Sequence, residues 1–328
     1  MISDTIRKTG FTRLILLVVG LLALPSPVLA AGYPARPIRM IVGFAPGGAT
    51  DLYARIVATN LSERLGQQVV VDNRAGAGGS LGTNLVAKAA PDGYTLIFVS
   101  PSHAINTALF KSMPFDPIVD FEPITKVSNG STYVVAVHSS LAATTVKELI
   151  ALATAKPGTI NFASGGVGST SHLAGELFKS KAGINIVHVP YKGTGDALRD
   201  LLAGQVHSTV DALPALLAHI NRGALKALGV NIRTSLLPDV PTIAESGLPD
   251  YEFLTWVGVL APARTPRDVV RKLNFEINEV LKLVDTQKRF NDMSARPAGS
   301  TPEEFKALLQ REVAKFAAIT KAAGIQPQ

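Results

Sequence analysis

No cysteine occurs among the 328 residues. This excludes disulfides, thiolate zinc sites, iron–sulfur clusters and cysteine nucleophiles together. It also excludes a bacterial lipoprotein anchor, which needs a cysteine after the signal. Aromatic residues make up only 6% and charged residues 17%. The basic residues are scattered and little interleaved with aromatics, so no nucleic-acid partner is expected. No stretch reaches the ~18 uninterrupted apolar residues of a spanning helix. There is no Gly-Lys dipeptide and hence no phosphate-binding P-loop. Gly76-Ala77-Gly78 lacks the third glycine of a dinucleotide site, because Leu81 stands there. None of the six histidines sits in a His-x-x-x-His or His-Glu-x-x-His pattern, so neither a metal nor a cofactor is expected.

What remains is a chain with 47% hydrophobic residues, enough for a sizeable core, and 28 glycines with 21 prolines, enough for many short turns. At ~150 residues per domain the length suggests about two. The first 31 residues read as a secretory signal. Arg7, Lys8 and Arg13 form a basic start, Leu14 to Leu24 an apolar stretch, and Val28-Leu29-Ala30 a small-x-small exit. Eleven residues rise only ~16 Å as a helix, against ~30 Å of hydrocarbon. Cleavage is expected after Ala30 or Ala31, placing the mature protein in the periplasm. With Asp4 the leader carries a net +2 of the formal +7, which leaves about +5. That mild field is spread over the whole mature chain.

Ile38 to Phe44 reads as a buried strand closed by Pro46-Gly47-Gly48, and Asp51 to Leu65 as a helix stopped by Gly66. Gln68–Val71 and Tyr94–Ser100 read as further strands, with a helix to about Ala89 between them. The same order restarts with strands at Thr159–Ala163, Ile184–Val189 and Val206–Asp211, and with helices after Thr170 and Gly195. Gly47 to Gly76 is 29 residues and Gly165 to Gly193 is 28. In both units one glycine loop opens a helix and a second opens the next. Strand–helix alternation with buried-type strands implies α/β lobes with mainly parallel sheets flanked by helices. Strand-like pieces at 122–127, 132–137 and 251–261 lie between and after the units. Helices at Pro266 to about Asp285 and Pro302 to about Ala323 close the chain. The expected lobes are 33–128 plus 255–328, and 129–254, joined by two hinge crossings.

Ligands of open parallel sheets sit outside the carboxyl ends of the strands. Helix N-termini there present unpaired N–H groups and about half a positive charge, and glycine lets a ligand approach the backbone. The loops at 45–51, 74–80, 164–171 and 191–196 are therefore candidate anion cradles for a small carboxylate. Gly78-Gly79-Ser80-Leu81-Gly82 matches the nucleophile-elbow pattern. Seven residues separate Ser80 from its strand, however, so a helix cap is the better reading. Asp51 reads as a cap of its helix, open to holding a water or a ligand ammonium. His103, just past a strand end, and His172, in the first turn of a helix, are open between lining the cleft and satisfying local structure. Arg74 and Lys192 are the cations of the glycine loops. Trp256 is expected in core or hinge packing.

These residues carry a resemblance. The segments Phe44-Ala45-Pro46-Gly47-Gly48…Asp51, Asn73-Arg74-Ala75-Gly76-Ala77-Gly78-Gly79, Gly168-Ser169-Thr170-Ser171-His172, Val189-Pro190-Tyr191-Lys192-Gly193 and Pro241-Thr242…Glu245…Gly247 look like those of the Bug receptors. These are the extracytoplasmic solute-binding proteins of tripartite tricarboxylate transporters, and the likeness covers essentially the whole mature chain. It implies a two-lobed periplasmic-binding-protein fold, type II-like, that closes on its ligand. It also implies carboxylate recognition largely by backbone N–H groups and bridging waters, and delivery to a membrane permease. The expected ligand-binding set is Phe44, Pro46, Gly47, Gly48, Asp51, Ala77, Gly78, Ser102, His103, Gly168, Ser169, Thr170, His172, Lys192, Gly193 and Asp211. A monomeric, non-catalytic receptor is the expectation. A ligand-loaded sensor co-receptor and a secreted serine hydrolase using Ser80 are the alternatives.

Overall fold

The structure, a computed structural model, describes residues 32–322; the expected signal lies outside them. Two sheets organise residues 36–322. In the first, β1 (Ile38–Val42) lies between β2 (Val69–Asn73) and β3 (Thr95–Val99), parallel to both. β10 (Val257–Pro262) follows antiparallel to β3, then β4 (Phe121–Ser131) and the short β11 (Ala295–Pro297). In the second, β6 (Asn161–Ser164) is parallel to β7 (Val187–Pro190) and β8 (Ser208–Ala212). Antiparallel β5 (Tyr133–His138) and β9 (Leu225–Val230) complete it. Each sheet thus has a parallel half built from strand–helix units. Its antiparallel half is built around strands that carry the chain between sheets.

The chain leaves the first sheet at Ser131 and enters the second at Tyr133; it returns between β9 and β10. The two crossings are bonded to each other. Asn231 Oδ1 accepts from the Tyr133 amide at 2.8 Å, while its Nδ2 donates to the Phe253 carbonyl at 2.6 Å. The Ser131 amide donates to Thr255 Oγ1 at 3.1 Å. The protein is therefore two-lobed with two crossings.

Every strand of the parallel halves runs into a loop and a helix. These helices are α1 (Ala49–Leu65), α2 (Ser80–Ala87) and α3 (Ser102–Leu109) after the first sheet's strands. After the second sheet's strands come α5 (Thr170–Ala182), α6 (Thr194–Leu202) and α7 (Leu213–Asn221). A further helix, α4 (Val146–Ala155), precedes β6. The Thr145 hydroxyl accepts from the Glu148 amide and Glu148 reaches back to the Thr144 amide, a capping arrangement that fixes its start. The expected helix from Pro266 to Asp285 is broken at Leu283, whose ψ of 134° is extended. It becomes α8 (Arg267–Lys282) and α9 (Val284–Asn291).

The cores follow from these faces. On β5, Val135 and Val137 enter one core of the second sheet while Val134 and Ala136 enter the other, as strand alternation requires. The last helix, α10 (Pro302–Ala322), serves both lobes. Phe305 and Leu309 join the first lobe's core with Ile41, Ile97 and Leu260, whereas Phe316 joins the second lobe's core. α3 does the same, burying Ala104, Ile105 and Leu109 in the second lobe's core. Phe305 is fully buried, stands edge-on to Trp256 at 5.5 Å, and fills the space above Gly258 so closely that a Cβ there would lie 2.2 Å from its ring. Trp256 Nε1 also donates to Glu312 Oε2 at 3.0 Å, a second tie between α10 and the sheet. Trp256 is thus a packing residue. Phe305→Ala is expected to lower the unfolding free energy by ~3–5 kcal/mol in denaturant melts. A loss below about 1 kcal/mol would show that this ring does not pin the helix.

Candidate ligand-binding site

The carboxyl ends of both parallel halves converge on one small cavity of about 30 Å³ between the closed lobes. The first lobe contributes Phe44, Gly48, Ala49, Thr50 and Ser100. The second contributes Tyr133, Gly165, Ser169, Thr170, Ser171, Thr194, Asp211 and Ala212. A second space of about 20 Å³ shares Ala49, Thr50, Ser100, Tyr133 and Ala212 and extends toward the crossings at Ser131 and Thr255.

Four helices begin at the cavity wall, α7 among them after Ala212, and they are capped differently. α5 has the Ser169 hydroxyl accepting from the His172 amide at 3.1 Å. α1 and α6 start after Gly48 and Gly193, and neither glycine supplies a side-chain cap. The first-turn amides of these two helices are thus presented with no side chain of the cap residue across them. Around them stands a set of hydroxyls. Ser100 Oγ lies 2.9 Å from Ser102 Oγ and 3.4 Å from Thr170 Oγ1 across the cleft, and Ser169 Oγ lies 3.2 Å from Ser171 Oγ. Among the described lining residues there is no Lys, Arg or His; the positive potential comes from helix starts alone.

One carboxyl group faces this space. Asp211, at the end of β8, is buried. Thr194 Oγ1 donates to its Oδ2 at 2.7 Å and the Ala212 amide to its Oδ1 at 2.7 Å, and Ser171 also favours its charged form. Burial without a cation outweighs these bonds and pushes its pKa up to about 6.

The lobes touch at their glycine loops. A Cβ at Gly78 would lie 2.2 Å from the Val167 carbonyl oxygen, and one at Gly193 would lie 2.7 Å from the Ala45 nitrogen. The Ala45 amide donates to the Lys192 carbonyl at 3.3 Å. Asn106 Nδ2, from α3, donates to the Gly78 carbonyl at 3.1 Å and to Ser80 Oγ at 3.0 Å. The cleft is closed in this structure.

A family model described as "Tripartite tricarboxylate transporter family receptor" matches residues 53–325. Protein BugT of Bordetella pertussis is 39% identical over 323 residues, covering 96% of this chain and 98% of its own. The chain belongs to this receptor family. Members of the family are periplasmic receptors. Among solved structures, R. palustris Rpa4515 with adipate has a TM-score of 0.86 at 37% identity, covering 90% of this chain and all of its own. MatC from Rhodopseudomonas palustris with bound malate has a TM-score of 0.83 at 31% identity, covering 88% and 99%.

In this member of the family, Phe44, Gly48, Ser169, Thr170 and Asp211 of the expected set line the cavity. The others are placed elsewhere. Pro46, Ala77, Gly78, Gly168, Lys192 and Gly193 belong to the loops that meet across the cleft: the Pro46 carbonyl faces Gly195, Ala77 takes a φ of 48°, and the Lys192 side chain is exposed. Gly47 has open space around it, so its glycine answers a φ of 88° and not a close approach. Asp51 turns away from the cavity. The Gly47 amide (3.0 Å), Arg55 Nε (3.0 Å) and Asn73 Nδ2 (2.9 Å) all donate to it. Burial raises its pKa, but these bonds together outweigh burial and hold it below the usual range. It therefore braces the loop before α1 and is not free for a ligand ammonium.

His103 is a core residue, with Nε2 2.8 Å from the Pro117 carbonyl and its ring between Phe115 and Phe121. His172 stacks on His188 at 4.1 Å, its Nδ1 accepting from the Gly168 amide at 3.4 Å; burial lowers its pKa to about 4. Ser102 reaches the site only through Ser100. Ser80 is the first residue of α2, whose cap is Gly79, and its hydroxyl accepts from Asn106; the expected helix-cap role does not hold. Arg74 pairs with Asp72 at 3.0 Å on the surface.

The expected set left out Thr50, Ser100, Tyr133, Ser171 and Thr194. Thr194 and Ser171 stand within the loops read as cradles, Ser100 at a strand end. Tyr133 carried no local signal, because its position depends on the crossing.

The pKa of Asp211 is raised in the folded state, so its ionisation opposes folding. That penalty is fully present above about pH 6 and fades as pH falls toward the unfolded value of 3.8. The shift corresponds to about 3 kcal/mol. Asp211→Asn is expected to raise the melting temperature by several degrees near neutral pH, with a smaller gain at pH 5. A gain that grows on acidification would contradict the assignment.

Proposed function

We propose that the protein is a periplasmic receptor that captures a small organic carboxylate in this cavity and hands it to the permease of a tripartite tricarboxylate transporter. Its lobes are 33–128 plus 255–328, and 129–254, moving about the two crossings. The observation that carries the reading is the pairing of side-chain-free caps at Gly48 and Gly193 with a wall of hydroxyls and no cation. Such a wall solvates an anion with neutral donors, as helix N-termini do for carboxylates and phosphates. A hydrogen bond to a charged acceptor contributes ~1.5–3 kcal/mol. A micromolar affinity needs about 8 kcal/mol net. Four or five such bonds, with apolar contact from Phe44, reach that after ordering costs. The adipate and malate bound by the two solved relatives support the same ligand class.

The reading is of a receptor and not a catalyst. Ser80 lies outside the cavity lining and its hydroxyl is occupied by Asn106. Ser80→Ala therefore leaves no turnover to lose.

A thermal-shift screen of mono-, di- and tricarboxylates and aromatic acids tests the proposal. At least one acid is expected to raise the melting temperature, since a ligand that binds only the folded state stabilises it by about 2.7 kcal/mol at a hundredfold excess over Kd. Silence across the whole panel would sink the receptor reading.

A further inference from the structure

The cavity holds one carboxyl group of its own, yet its donors are those a solute carboxylate would use. Thr194, at the start of α6, bonds to Asp211, and Ser171, at the start of α5, favours its charged form. No lysine, arginine or histidine lines the space among the described residues. Asp211 is 4% exposed. Two carboxylates in one small, water-poor space repel each other, and the same hydroxyls cannot fully serve both. We infer that Asp211 is neutral in the loaded receptor and donates its proton to the solute's carboxylate, so that each captured solute brings one proton with it.

This rests on the receptor reading above, and adds to it a donor and a co-bound proton. The proton comes from bulk water, adds to one carboxyl oxygen of Asp211, and returns to water when the solute leaves. No covalent bond to the solute forms and no electrons move.

The groups around Asp211 leave it as the titrating member. From β5, burial and the charge of Asp211 both keep the Tyr133 phenol protonated. On α5 beyond Ser171, burial holds His172 at about 4, and His188 on β7 behind it at about 3. On α6, Asp196 pairs with Arg199 at 3.5 Å. On α1, Asp51 is bound by Arg55. The two histidines therefore stay uncharged at neutral pH. Burial by the protein alone raises Asp211 to about 6. A second anion beside it raises it further, so binding strengthens as pH falls.

The test is calorimetric titration with adipate, malate, citrate, benzoate and aspartate, in pairs of buffers that differ in ionisation enthalpy. The difference between buffers reads the protons taken up per bound solute. The wild-type protein is expected to take up close to one proton near pH 7, with affinity weakening toward tenfold per pH unit above it. Asp211→Asn is expected to bind with no buffer dependence and a flat pH profile. Thr194→Val, which removes a hydroxyl bonded to the carboxylate form, is expected to move the midpoint of the pH profile upward. It also serves if Asp211→Asn fails to fold. A carboxylate bound by the wild type without proton uptake overturns the inference while leaving the receptor reading intact. Preference for aspartate over malate without proton exchange also overturns it, in favour of a charged Asp211 gripping an ammonium. Silence from all five acids removes the receptor reading, and this inference with it.

Discussion

An amide taken out of water must find another acceptor, and the cavity of this protein is built around amides that have none of their own. Most buried backbone N–H groups are paired. Here α1 and α6 begin after glycines whose missing side chains cannot cap them. Their helices also add their dipoles toward the same space. α5 is instead closed by Ser169, yet it brings Thr170 and Ser171 to the wall. Everything else in the fold serves to bring these starts together. The parallel halves set helix starts at one end of each sheet, and the two crossings place those ends face to face.

Closure has its own requirements, separate from those of the ligand. Gly78 sits against the Val167 carbonyl, Gly193 against Ala45 and Gly195 against Pro46. At each point one lobe's backbone meets the other's at a distance that leaves no room for a Cβ. Asn106 ties the Gly78 loop from α3, a helix that follows a first-lobe strand yet packs into the second lobe's core. α10 likewise spans both cores through Phe305 and Phe316. Motion between the lobes must therefore respect two helices anchored on both sides, and this favours a pivot over a wide separation.

Much of the fold was legible because its signals are local. The buried strands at 38–42 and 95–99, the glycine stop at Gly66, and the one-sided apolar face of Phe305, Leu309 and Phe316 all follow from short-range pattern. α4 was missed although Thr145 and Glu148 spell a capping signal; its apolar residues, set between two loops, did not stand out. The break at Leu283 has no proline or glycine to announce it. At the site, some residues of the glycine loops line the cavity and others meet across the cleft. Glycine composition does not say whether a loop faces a ligand or another loop. His103 looked available because it follows a strand end, but Phe115 and Phe121, distant in sequence, enclose it. Tyr133 and Asp211 come together only because β5 and β8 pair across an antiparallel register.

Asp211 is the residue whose presence asks most of the fold. An asparagine has the same shape, would keep the bond from the Ala212 amide, and would carry no charge into a buried site. Nothing in the packing of β8 requires an acid: its neighbours Val210 and Ala212 are apolar and the strand is paired on both sides. On the proposed reading its proton is what it contributes, since an acid accepts as an anion and donates once protonated. In this structure Thr194 and the Ala212 amide satisfy it as an acceptor, with Ser171 also favouring its charged form. In the loaded state the same hydroxyls turn to the solute, and the acid supplies a donor that asparagine could match only through its amide nitrogen, at a fixed charge. The group thus changes its charge together with its bonding sense, which a permanently neutral side chain cannot do.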